Sequence, residues 1–64
     1  MKIKIDENNI IQGYFKLISE KPYRATGCNM QRNENGIEID DSLLEQIVVG
    51  ESKFVDGKVV NENA

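Results

Sequence analysis

The fold prediction starts from residues 36–50, which read GIEIDDSLLEQIVVG. Ile37 and Ile39 alternate with acidic residues, and this two-residue period is typical of a half-buried strand. Ser42 and Glu45 have the spacing of a capping box, in which each side chain bonds a free backbone N–H at the start of a helix. Gly50 is placed to end that helix in a left-handed conformation. The stretch therefore predicts a short strand followed by one small helix over about residues 43–49.

The predicted helix needs support from the rest of the chain. Its apolar residues Leu43, Leu44, Ile47 and Val48 share one helical face. A helix of about two turns does not persist alone in water, because nucleation costs more than so few hydrogen bonds return. We therefore expect it to lie across one face of a sheet.

The first twenty residues predict a β-hairpin. Residues 2–6 alternate charged and apolar side chains, residues 7–9 form a turn cluster, and residues 10–19 are rich in β-branched and aromatic types. A helix over residues 10–18 is the competing interpretation, but Gly13 would cost it about 1 kcal/mol and the composition favours a strand. Gly13 itself predicts a bulge or a close approach of another backbone.

Later turn signals predict further hairpins. Pro22 ends the second strand, and residues 23–30 form a possible third strand leading into Asn35-Gly36, a pair typical of type I′ turns. Asp56-Gly57 is the same kind of signal between two β-rich runs over residues 53–60. We predict an α+β fold: a small antiparallel β-hairpin sheet with one short helix packed on it. Residues 1–60 form a single domain, and residues 61–64 form a frayed tail.

Composition narrows the classes of function. The chain has 64 residues, 39% of them hydrophobic, and a net charge of −3. A domain of this size buries only about 60% of its unfolded surface, so its stability is marginal. Residues 13–33 carry four cations and one acid, whereas residues 34–64 carry eight acids and two cations. This asymmetry would permit a head-to-tail contact between copies, although a solvated charged surface is the favoured explanation.

Several chemistries find no support in the sequence. The chain has no histidine, so histidine-based triads and histidine metal ligands are excluded. Cys28 is the single cysteine, which we interpret as a small apolar residue and which fits a reducing compartment. Glu38, Asp40 and Asp41 suggest a cation site, but helix capping explains the two aspartates better. We predict no enzyme activity, no metal, no cofactor and no small-molecule substrate.

The location follows from the absence of long apolar runs. No stretch has the roughly 20 apolar residues of a membrane span or the apolar core of a signal peptide. We expect a cytoplasmic protein that does not enter a membrane.

Two sets of residues are candidates for binding. For a protein partner or a homo-oligomer, the contact residues are aromatic and apolar positions in predicted strands: Tyr14, Phe15, Phe54 and Val55. For nucleic acid, an aromatic and basic set would stack on bases and bind phosphates: Lys16, Lys21, Tyr23, Arg24 and Arg32. The acidic net charge opposes phosphate binding, so the protein partner is the favoured prediction, and a small regulatory protein that binds nucleic acid through residues 14–32 is the alternative.

Three segments, residues 6–14, 36–40 and 54–60, together resemble a known layout. They are similar to small tail-associated proteins of phages and prophages in low-GC Gram-positive bacteria, which share an Asp/Glu-Asn turn, a Gly-Ile-Glu-Val-Asp run and an Asp-Gly hairpin. The resemblance covers about a third of the chain. It implies a structural or assembly role without catalysis and a virion-associated location. We therefore predict a non-enzymatic interaction module that acts through apolar contacts and an open strand edge.

Overall fold

The computed structural model describes residues 1–61 of the chain. A four-stranded antiparallel sheet has the order β3-β2-β1-β4, and a separate hairpin pairs β5 with β6. The elements in chain order are β1 (Lys2–Ile5), β2 (Ile11–Glu20), β3 (Tyr23–Cys28), β4 (Ile37–Glu38), a 3₁₀ helix (Asp41–Gln46), β5 (Lys53–Val55) and β6 (Lys58–Val60). The prediction of an antiparallel sheet built from hairpins is confirmed, and the helical part is small.

The first hairpin is organised by a side chain that the turn prediction did not include. Asp6 Oδ1 accepts the backbone N–H groups of Asn8 and Ile10 at 2.8 and 3.0 Å. These bonds close the turn in which Asn9 has a φ of 64°, a value that asparagine tolerates better than most residues. The strand that follows, β2, confirms strand rather than helix for most of residues 10–18.

Gly13 is where the chain crosses close to the sheet, as predicted. A Cβ atom at this position would lie 2.7 Å from the Cys28 carbonyl oxygen and 2.9 Å from that of Asn29. The absence of a side chain therefore allows the backbone after β3 to pass over β2. A β-bulge lies beside this point, between Lys4 and Ile5 in the register with β2.

The third strand is confirmed, but its predicted connection is wrong. A two-residue loop joins β2 to β3, and β3 then pairs with β2. The chain next crosses to the opposite edge of the sheet, where β4 pairs with β1. Asn35 and Gly36 therefore form no type I′ turn, and neither has a positive φ. Gly36 is needed for space instead, because a Cβ there would lie 2.6 Å from the Ile3 carbonyl oxygen.

The α-helix predicted over residues 43–49 is a 3₁₀ helix that begins and ends earlier. Its cap is Asp40, whose Oδ1 accepts the Ser42 N–H at 2.8 Å, so Ser42 is not the capping residue. The helix stops at Gln46 because Ile47 is extended and the Val48 N–H donates to Ser52 Oγ at 2.8 Å. That bond draws the chain away from helical geometry.

The end of the described chain forms the second hairpin. Asp56 and Gly57 have φ values of 52° and 76°, which confirms the predicted type I′ pair. Gly50 also has a positive φ of 88°, but it lies in a turn beyond the helix. Asn61, which was predicted to lie in a frayed tail, donates from Nδ2 to the Gln46 carbonyl oxygen at 2.8 Å. The remainder of that predicted tail, residues 62–64, lies outside the described residues.

The two fully buried apolar side chains lie on one side of the main sheet, whereas Met30, which is 7% exposed, belongs to the segment that follows β3. Ile3 and Ile11 are fully buried, and the residues that register places on the same side as Ile3 include Tyr14, Cys28 and Ile37. We call this side the core face. Leu43, Leu44 and Ile47 of the helical segment are half-buried, and the 3₁₀ helix buries no residue completely. The helical segment therefore covers the core only in part, less completely than predicted.

In the described part of the chain, no helix combines the length and the apolar character that crossing a bilayer requires.

Candidate interaction surface

The second side of the main sheet is more open, and we call it the open face. Register places Lys2, Phe15, Leu17 and Ala25 on it, because directly paired residues of neighbouring strands point to the same side. Alternation along β3 adds Tyr23 to the same side. The segment after β3 crosses this face and is held there by the Lys2 ammonium, which donates to the Arg32 and Glu34 carbonyl oxygens at 2.6 and 2.9 Å.

A groove lies on the open face between that crossing segment and the start of the chain. It encloses about 310 Å³, and Phe15 and Leu17 supply its apolar surface. The Lys2 ammonium lies 5.9 Å from the centre of the Phe15 ring. The other lining residues are polar or terminal: Met1, Arg32, Glu38 and Asp41. An apolar floor with a mixed-charge rim accommodates a side chain or a small segment of another molecule.

Beyond the groove, the end of the β2–β3 hairpin exposes large apolar side chains. Ile18 is 56% exposed, Tyr23 is 49% exposed, and Leu17 is also exposed. They are exposed because β1 begins at Lys2, opposite Phe15, so the last part of β2 pairs only with β3. We call Leu17, Ile18 and Tyr23 the hairpin surface.

The hairpin surface adjoins an open strand edge. Within residues 1–61, no strand pairs with the outer side of β3, which is the first strand in the sheet order. Its six residues are exposed or half-buried. An edge of this kind presents unpaired backbone N–H and C=O groups that a second extended chain can bond.

Lysine and arginine side chains lie near the outer edge of β3. The Arg32 guanidinium carbon lies 5.0 Å from the centre of the Tyr23 ring, a cation–π contact between the crossing segment and β3. None of the ion pairs among residues 1–61 includes Lys16, Lys21, Arg24 or Arg32. The nearby hairpin end therefore combines apolar side chains with positive charge.

The four residues predicted to bind a protein partner are not brought together as one surface. Tyr14 and Phe15 are both half-buried and, as neighbours in β2, point to opposite sides of the sheet. Phe54 and Val55 are likewise neighbours in β5, where Phe54 is half-buried and Val55 is exposed. Of the four, Phe15 lines the groove. Leu17 and Ile18 were not predicted as contact residues, because leucine and isoleucine are typical of a buried core. They are exposed only because the paired strands differ in length.

The residues predicted as alternative nucleic-acid contacts are partly gathered. Lys21, Tyr23 and Arg24 lie at the hairpin end, and Arg32 stacks on Tyr23. Lys16 points to the core face and lines a shallow cavity with Leu44 and Glu45 of the 3₁₀ helix.

The acidic residues weighed as a cation site have local partners. The amino group of Met1 lies 2.7 Å from Asp41 Oδ1 and 3.6 Å from Glu38 Oε2. The hydrogen bond to Asp41 raises the pKa of that amine. The hydrogen bond from the Ser42 backbone N–H lowers the pKa of Asp40. Among residues 1–61, no three Cys, Asp or Glu side chains are grouped to hold a metal ion.

Cys28 is half-buried and lies opposite Tyr14 on the core face. This environment is that of a packing residue beside an aromatic ring.

Comparison with known proteins gives no family model that matches the chain, and neither a curated protein nor a solved structure matches it.

Proposed function

We propose that the protein is a non-enzymatic interaction module that binds an extended segment of another protein along the outer edge of β3. The observation that carries this proposal is the coincidence of an open strand edge with the hairpin surface. Backbone hydrogen bonds to the edge would supply affinity, and the side chains of Leu17, Ile18 and Tyr23 would supply apolar contact.

The position of the exposed residues favours binding over a purely structural explanation. Single exposed apolar residues are common on protein surfaces, but here three large ones lie within one hairpin, beside an unpaired edge. The edge also lacks the usual protection, because Arg24 is its one charged residue and it carries no proline. A second extended chain would cover the exposed apolar side chains and would pair with the open edge of β3.

The experiment is an NMR titration of the full chain with an extended, uncharged peptide probe of sequence Thr-Gln-Thr-Val-Thr-Gln-Thr, blocked at both ends. We expect chemical-shift changes in residues 23–28 and slower hydrogen exchange of amides on the outer edge of β3. Ile18→Ser should weaken binding by about fivefold, because apolar contact area is lost on the hairpin. Val60→Ser is the matched control, since Val60 is similarly exposed on β6.

Two results would contradict the proposal. One is a binding site that maps to β4 or β6 while exchange at β3 is unchanged. The other is an equal loss of affinity in the Ile18 and Val60 variants.

Nucleic-acid binding is the second candidate, and the stacking of Arg32 on Tyr23 among unpaired cations is the observation that favours it. A salt titration with single-stranded and double-stranded oligonucleotides separates the two candidates. Phosphate contacts lose affinity steeply as salt rises, whereas binding of the uncharged peptide should change little.

We further propose that such binding serves assembly, in the manner of the phage and prophage tail-associated proteins that the sequence resembles. The support is the resemblance over residues 6–14, 36–40 and 54–60. A cytoplasmic site of synthesis and a later virion-associated location belong to this proposal. Neighbouring genes for tail or portal proteins would support it, and a genomic setting without any virion gene would count against it.

A further inference from the structure

The chemistry around β3 indicates which kind of segment the edge accepts, and this inference rests on the function proposed above. We propose that the partner segment is acidic as well as extended, with a carboxylate that binds the guanidinium of Arg32. The apolar residue two positions along the same segment then lies over Ala25 and the groove.

The Arg32 guanidinium is positioned to bind a carboxylate partner. Its guanidinium stacks 5.0 Å from the Tyr23 ring centre, and it belongs to no ion pair within residues 1–61. The contact with the ring restricts the guanidinium, and Arg32 is exposed to solvent. A guanidinium held in this way binds a carboxylate with two parallel hydrogen bonds at a reduced cost in side-chain entropy.

The side chains of a strand added beside β3 would lie close to those of β3. Side chains opposite each other across neighbouring strands are about 5 Å apart. A partner residue opposite Tyr23 and on the open face therefore lies beside the ring on which Arg32 stacks. A glutamate at that position can bond the guanidinium without any change in the sheet.

The next positions on the same side of β3 are Ala25 and Gly27. Ala25 has one methyl group and Gly27 has no side chain, and both are exposed. A larger side chain from the partner strand is accommodated beside Ala25, whereas backbone fills the space at Gly27, where a Cβ would lie 2.9 Å from the Tyr14 carbonyl oxygen. Leu17, which is paired directly with Ala25, supplies apolar contact and continues into the groove over Phe15.

Charge complementarity favours an acidic partner over a second copy of the chain. Pairing β3 of one copy with β3 of another would offer Arg32 no carboxylate from the added strand, because Arg24 is the one charged residue of β3. An acidic segment supplies that carboxylate and also neutralises the cations at Lys21 and Arg24.

The test compares two blocked peptides, Thr-Glu-Thr-Val-Thr-Glu-Thr and its uncharged counterpart with glutamine in both acidic positions. The symmetric sequence places a carboxylate opposite Tyr23 whether the strand binds parallel or antiparallel. We expect the acidic peptide to bind about tenfold more tightly, in line with a charge-assisted bidentate contact. Added salt should reduce this difference.

Variants assign the difference to Arg32. Arg32→Gln should abolish the preference for the acidic peptide, so that the two peptides bind this variant with equal affinity. Tyr23→Phe should retain the preference, because the ring still supports the guanidinium, and Tyr23→Ser should reduce it. Lys58→Gln is the control for the loss of one exposed cation on the other hairpin.

The outcomes separate this inference from the proposed function. If both peptides protect the β3 amides equally and Arg32→Gln has no effect, the interaction function stands and the acidic specificity is wrong. If neither peptide protects those amides, the interaction function itself fails. Concentration-dependent dimerisation in sedimentation that Arg32→Gln prevents would assign the edge to a second copy, and tighter binding of an oligonucleotide than of the acidic peptide would assign it to nucleic acid; either result overturns the inference.

Discussion

The two ends of the main sheet differ in what surrounds them. At one end, Ile3 and Ile11 are fully buried, and Ile11 is bonded through its N–H and C=O groups to Ser52 and Gly50 at 2.8 Å each. At the other end, the β2–β3 hairpin carries Leu17, Ile18 and Tyr23 in exposed positions. Both ends have strongly apolar composition. Strand pairing and coverage by other segments, rather than residue type, therefore decide which apolar side chains of this molecule are buried and which are exposed.

Strand length is the cause of this difference. β2 has ten residues, whereas β1 has four, so the second half of β2 extends beyond its partner. A two-stranded hairpin has marginal stability in water on its own, so this end depends on the body of the sheet. The molecule is accordingly elongated, with extents of 37 × 20 × 17 Å.

The largest expected effect on stability is the contrast between replacing a buried isoleucine at one end and an exposed isoleucine at the other. Ile3→Ala should lower the free energy of unfolding by about 2–5 kcal/mol, which is most of the stability of so small a domain. Ile18→Ala should change it by less than about 0.5 kcal/mol, because that side chain is 56% exposed. Urea denaturation followed by circular dichroism measures both. Similar losses in the two variants would remove the distinction between the ends.

A smaller effect is expected at the point where the crossing segment leaves the sheet. Gly13→Ala should destabilise the protein by about 1–3 kcal/mol, because its Cβ would lie 2.7 Å from the Cys28 carbonyl oxygen. Amide shifts of the crossing segment, residues 29–36, should change with it.

Gly50→Ala is the control for that variant. Its φ of 88° makes alanine unfavourable by about 1–2 kcal/mol, but nothing lies within 4 Å of the added atom. The shifts of residues 29–36 should therefore stay as in the wild type. A Gly13→Ala protein of unchanged stability and spectrum would show that the close backbone approach is absent in solution.

The smallest effect is expected at the helix cap and depends on pH. The Ser42 N–H lowers the pKa of Asp40 below its ordinary value of 3.8 in the folded state. This carboxylate therefore contributes stability that is present above pH 3.8 and is lost as the pH falls through its lower folded-state pKa. Asp40→Asn should lower the melting temperature slightly at neutral pH, and the gap to the wild type should close in acid. Melting curves between about pH 2 and pH 7 measure this gap, and a gap that widens in acid would contradict the assignment.

Local signals in the sequence predicted local structure well. Asp56-Gly57 forms the turn that its residue types favour, because both positions need a positive φ and tolerate it. The β-branched and aromatic run in residues 10–19 gives a strand, and Gly13 marks a close backbone approach. These features depend on a few neighbouring residues, so the chain specifies them directly.

Asn35-Gly36 shows where such signals fail. The pair has the same turn chemistry as Asp56-Gly57, but β4 pairs with β1 at the opposite edge of the sheet, and Gly36 lies against the Ile3 carbonyl oxygen. The form of the helix was decided by local hydrogen bonds that differ from the predicted capping box. The Ser52 hydroxyl takes the Val48 N–H that an α-helix would have used, and Asp40 caps the shorter 3₁₀ helix.

The candidate surface follows the same division. Tyr23, Arg24 and Arg32 were predicted from residue type only as alternative contacts to nucleic acid, because aromatic and basic side chains suit bases and phosphates, and that role stays a prediction. The exposure of Leu17 and Ile18 could not be predicted, because it depends on where β1 begins relative to β2.

The sequence by itself determined the strands, two of the turns and the positions of the charges, because backbone preference and charge belong to each residue and its neighbours. The strand order and the open edge of β3 follow from the packing of the whole chain. Those features arise from hydrogen bonds and packing between residues far apart in the chain, where no local pattern records the partner.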